Sequence, residues 1–165
     1  MESIELIRTN LTRSEDIVLS RIEDMRDYAL VAPTPNGGCH TLWVLGHLAY
    51  IESLVIHAFM EGESNPLAAW EETFDGEEVS QDIDQFPSFD EVLAECRAAR
   101  VRTVRLLDSM TEEDLDREAR STPEAAAHLF GTYRQCFQAV ADHGYMHRGH
   151  LADSRRAAGL ERAWY

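Results

Sequence analysis

The sequence predicts an all-α fold: a four-helix bundle with a long connection between helices 2 and 3. Three observations carry that expectation. Apolar residues recur at three- and four-residue spacing in four separate stretches, no stretch alternates apolar and polar residues as a strand would, and Pro, Gly and capping residues punctuate the gaps. A chain of 165 residues suits one domain over 1–165, large enough to bury a core without disulfides. At 44% hydrophobic it is too apolar to remain disordered.

The first helix is expected over residues 3–28, where Ile4, Ile7, Leu11, Val18, Leu19, Ile22 and Met25 form one apolar stripe. Pro33, Pro35, Gly37 and Gly38 then require a loop. Thr41 reads as the N-cap of the second helix, which runs through Leu42, Leu45, Leu48, Ile51, Leu54, Val55, Ala58 and Phe59 to residue 61 and stops at Gly62. Residues 63–88 hold Pro66, Pro87, many acids and the isolated aromatics Trp70, Phe74 and Phe86, with no sustained period. They read as a bundle crossover with a short helix near 67–73, and connections of this length are often functional as well.

Ser88 and Glu91 match a capping box for the third helix, which continues through Val92, Leu93, Cys96, Ala99, Val101, Val104 and Leu107 to residue 110. A short helical turn begins at 111–114. Ser121 or Thr122, with Pro123 at the first helical position, opens the fourth helix through Ala126, Leu129, Tyr133, Phe137, Val140, Met146 and Leu151 to Gly159.

Thirty acidic residues against fifteen basic ones give a net charge of −15, which repels phosphate backbones and anionic lipid. Nucleic acid and membrane are therefore not expected partners, although Arg148, Arg155, Arg156 and Arg162 make one end locally basic. Cys39, Cys96 and Cys136 are odd in number and form no C-x-x-C pair, and no secretory leader pattern opens the chain. A reducing cytoplasm is the expected setting. The longest apolar candidate, residues 41–60, is interrupted by His47, Glu52 and His57, so no membrane span is expected.

His143 and His147 stand four apart, so their side chains project from one helical face about a turn apart. That spacing suits two ligands of one ion, and equally two surface histidines. His47 lies within Leu42-Trp43-Val44-Leu45-Gly46-His47-Leu48, where a polar ring needs a partner: a metal ion, or a carbonyl or carboxylate in the core. Taken together, Trp43-x2-Gly46-His47-Leu48-x3-Glu52 and His143-x3-His147-Arg148-Gly149-His150-Leu151 resemble the DinB/YfiT superfamily of metal-binding four-helix proteins, over nearly the whole chain.

That resemblance implies that His47, His143 and His147 bind a divalent ion, nickel or zinc foremost, with iron also suited to imidazole. The family's H-R-G-Q pattern is here His147-Arg148-Gly149-His150. His150 is read as a hydrogen-bonding neighbour of the ligands, with a fourth ligand or an acid–base group as alternatives. Arg148 either holds a substrate carboxylate or pairs with one of the many acids. His40 is expected at the rim, while His57, His128, Glu52 and Asp142 are expected to lie outside the site.

The resemblance admits two functions. In one, the ion is catalytic and serves transfer of a low-molecular-weight thiol, thiol-assisted isomerisation or hydrolysis, on a small electrophile entering beside residues 63–88. In the other, a stress-associated protein uses the ion structurally, which calls for a fourth ligand. A homodimer is the expected assembly.

Overall fold

Ser3–Leu19 forms the first long helix, α1, and buries Ile7, Leu11, Ser14 and Val18 along one face. This computed structural model describes residues 2–76 and 78–163, and among the described residues the fold is all-helical. The expected continuation of α1 to Tyr28 does not occur. Arg21 takes a left-handed conformation (φ 54°), which ends the α-helix, and the chain re-enters as a 3₁₀ helix, Ile22–Tyr28. Arg155 donates to the Arg21 carbonyl at 3.0 Å, while Arg21 itself reaches Asp24 at 2.9 Å. Ile22 and Met25 remain buried, which is why the apolar period runs through the break unmarked.

The second long helix, α2, spans Thr41–Ser53 and runs on as a π-helix, Leu54–Met60. It ends where the sequence suggests, at Gly62, whose φ of 68° favours a residue without a Cβ. Its N-cap is His40 rather than Thr41. Nδ1 of His40 accepts from the Trp43 amide at 3.1 Å, and Nε2 lies 2.9 Å from the Ser80 carbonyl. His40 is thus fully buried, not at a rim.

Apolar residues cover nearly every side of α2, because other elements enclose it. By length and composition Thr41–Met60 would suffice to cross a membrane, contrary to the expectation drawn from its three polar residues. It is nevertheless 67% buried inside the protein and packs as the core helix.

The third long helix, α3, spans Phe89–Asp108 behind the expected Ser88–Glu91 capping box. The fourth, α4, is Tyr133–Ala157 and begins later than expected. Pro123 instead precedes a 3₁₀ turn, Glu124–Ala126, and a short helix, Ala127–Phe130. The reason lies at Thr132, whose extended backbone (φ −131°, ψ 162°) bridges to Glu118 and whose side chain caps α4 at Gln135.

α1 packs mainly along α4 and α2 mainly along α3, with further contacts between α2 and α4 and between α1 and α3. The beginnings of α2 and α3 share one apolar cluster, with Leu42 and Leu45 beside Phe89 and Val92, and their ends share another, with Met60 beside Leu107. The two helices therefore run the same way. Residues 61–88 must carry the chain back along the molecule, and Phe74, fully buried against Phe86 and Trp70, anchors that return.

A buried ion pair ties three of the helices. Arg100 on α3 donates to both Glu52 carboxylate oxygens on α2 (3.0 and 3.2 Å), to Ser14 Oγ on α1 at 3.0 Å and to the Leu11 carbonyl.

Candidate metal centre

α2 and α4 meet at three imidazoles. His47 Nε2 and His143 Nε2 stand 3.2 Å apart, and the nearest ring nitrogens of His47, His143 and His147 all lie within 4.8 Å of one another. The i, i+4 spacing of His143 and His147 sets two rings on one face of α4, and His47 arrives from the facing side of α2. Among the described residues this is the group of histidine, cysteine and carboxylate side chains arranged to hold an ion.

The state of each ring follows from its surroundings. His47 Nδ1 donates to the Phe74 carbonyl at 2.6 Å. Because a carbonyl only accepts, Nδ1 carries the proton and Nε2 keeps the lone pair that faces the other rings. The Trp43 indole stacks on His47 at 4.4 Å between centroids, with 12° between planes, and closes one side of the group.

Burial, followed by the neighbouring His143, His47 and His150, drives the pKa of His147 down to about 3. Burial and His47 take His143 to about 4, and burial also lowers His47. At neutral pH all three rings are neutral, the form that ligates. Three neutral imidazoles with converging nitrogens fit a divalent metal ion.

The other residues singled out from sequence fall as follows. His150 is exposed, and its Nδ1 lies 3.2 Å from His147 Nδ1, beside the trio rather than within it. Arg148 lines a separate cavity of about 880 Å³ with Tyr145, Met146, Gly149 and Ala152, and no histidine contributes to its wall. Glu52 turns away toward Arg100, and exposed Asp142 accepts from Gln138. His57 stands 3.7 Å from Glu63, and His128 is exposed. Burial pushes the Cys96 and Cys136 thiols up to about 12, so neither supplies a thiolate at neutral pH.

Two contributors escaped the sequence reading. One is the Phe74 carbonyl, a backbone group with no side-chain signature. The other is Asp75, whose carboxylate lies 3.7 Å from His47 Nδ1. Both arrive on the crossover, and the residue that admits them, Gly46, stands beside His47 in the motif.

A family model described as the DinB superfamily matches residues 10–151, a span that includes all three histidines. No curated protein matches the chain.

Proposed function

We propose, from the premise that the chain belongs to the DinB superfamily, that it is a divalent-metal-binding protein whose ion acts on a small electrophilic substrate. Its four long helices support reading the fold as a four-helix bundle. The observation that carries the reading is the convergence of His47, His143 and His147 with ring nitrogens within 4.8 Å, His47 being held in the tautomer that presents Nε2. Nickel and zinc are the ions proposed for such a set, and iron is also compatible.

When bound, such an ion would supply Lewis acidity that lowers the pKa of a thiol or water toward neutrality. The chain's own residues do the rest. Trp43 and the Phe74 carbonyl orient His47, and burial keeps the imidazoles unprotonated. His150, 3.2 Å from His147 and open to solvent, would orient that ligand at the edge of the site. The reactions that fit are transfer of a low-molecular-weight thiol to an electrophile, or hydrolysis. A structural ion normally has four protein ligands, whereas the group here has three among the described residues, which favours a site with a position left for substrate.

The test is metal content. Elemental mass spectrometry of the untagged protein should find one ion per chain, and single His47→Ala, His143→Ala and His147→Ala variants should lose it while His57→Ala retains it. Stoichiometric metal in any of the first three variants overturns the assignment. So does a wild type that stays empty after nickel, zinc and iron are supplied.

A further inference from the structure

The outer side of His47 is held by a segment that the histidine motif does not contain. Phe74 fills a recess on α2 that exists because residue 46 lacks a Cβ, since a Cβ there would fall 2.1 Å from the Phe74 ring. Once that ring is seated, the backbone behind it is fixed, the Phe74 carbonyl meets His47 Nδ1 at 2.6 Å and the Asp75 carboxylate stands 3.7 Å from the same nitrogen. At that distance Asp75 acts through its charge, because the carbonyl already holds the proton.

We propose that Asp75 is a positioning residue of the metal centre, delivered by the Phe74–Gly46 contact and acting on the ion through His47. The inference rests on the metal reading above. A ligating imidazole gives electron density to the ion, which leaves positive charge on its outer N–H. A carboxylate beside that N–H stabilises the ligated form and strengthens the donor. The carbonyl fixes the direction of the ring, and the carboxylate adds the charge that a carbonyl lacks. The crossover thereby becomes part of the centre, and Gly46 sets how closely the crossover can approach.

Partners of this kind are worth roughly tenfold to a hundredfold in metal affinity. Asp75 is 40% exposed, so solvent screening places it at the lower end, roughly tenfold. Cobalt(II), whose visible bands report ligand field, is the probe, titrated into metal-free protein at about pH 8 where protons no longer compete for the imidazoles.

Asp75→Asn, which keeps the shape and removes the charge, should still reach one cobalt per chain, but with a dissociation constant roughly tenfold higher and shifted visible bands. Its metal-free form should melt at the wild-type temperature, and Asp75→Glu should recover part of the affinity. Gly46→Ala, which displaces Phe74 without touching a histidine, should weaken binding at least as much.

Wild-type affinity and spectrum in Asp75→Asn, or wild-type affinity in Gly46→Ala, overturn the proposal. A matching fall in the metal-free melting temperature of Asp75→Asn also overturns it, because the role would then be structural. A wild type that takes up no cobalt instead overturns the metal reading itself, so the two failures are distinct.

Discussion

His143 and His147 owe their neutrality to burial, and that has a measurable cost in acid. Their folded pKa values, about 4 and about 3, lie below the ordinary value of 6.5 that they regain on unfolding. Between those limits the unfolded chain binds more protons than the folded one, so stability falls as pH drops below 6.5 and the loss is complete only beneath the folded values. The slope approaches about 1.4 kcal/mol per pH unit for each histidine. Urea titrations of the metal-free protein at about pH 7.5 and about pH 5 should show this fall, and His147→Ala should flatten it; an equal slope in that variant would assign the proton uptake to other groups. At this scale helical spacing and an apolar setting left the roles of His143, His147 and His47 open, and the resemblance to the DinB/YfiT superfamily joined the three residues that the fold brings together. Their orientation was not legible, because a backbone carbonyl twenty-seven residues away from His47 leaves no mark in side-chain pattern. His40 was misread for a related reason: capping is a habit of Ser, Thr, Asp and Asn, and a histidine in that role does not announce itself.

Helices are joined here by a polar clasp as well as by apolar faces. Arg100 and Glu52 are each under 10% exposed, and Arg100 also holds Ser14 and Leu11, so α1, α2 and α3 share one charge-assisted network. Arg100→Ala leaves the Glu52 carboxylate buried without its counter-charge and should destabilise the protein by about 3–5 kcal/mol in chemical denaturation. A loss below about 1 kcal/mol, the scale of a solvent-exposed pair, would mean that water reaches Glu52 in solution. Glu52 was rightly placed outside the histidine site, but its partner lies forty-eight residues away and no local pattern links the two. The helices themselves were readable from apolar period, yet their ends were less so. A left-handed Arg21 and an extended Thr132 interrupt stretches whose apolar spacing continues undisturbed, because 3₁₀ turns bury similar positions. The capping box at Ser88, a purely local signal, marked the start of α3 correctly.

Across the whole molecule, charge is lopsided. Fifteen arginines can neutralise only half of thirty acids, and several of their pairs lie in solvent, where they contribute little. Raising salt from about 0.01 M to about 1 M shortens the screening length from ~30 Å to ~3 Å and should relieve this repulsion. The melting temperature should rise by roughly 2–4 °C for each kcal/mol of repulsion removed; a flat profile in sodium chloride would show that the acids are already balanced locally. The parallel course of α2 and α3 adds a consequence in time. His47 and His143 meet at 3.2 Å although 96 residues separate them, and His47 leaves the ribosome long before α4 exists. A bound ion could not act as a template for early folding, because two of the three histidines, His143 and His147, are unborn while α2 waits. It reads a finished scaffold, so metal shortage should yield folded, empty molecules that later supply can fill, rather than chains lost during synthesis.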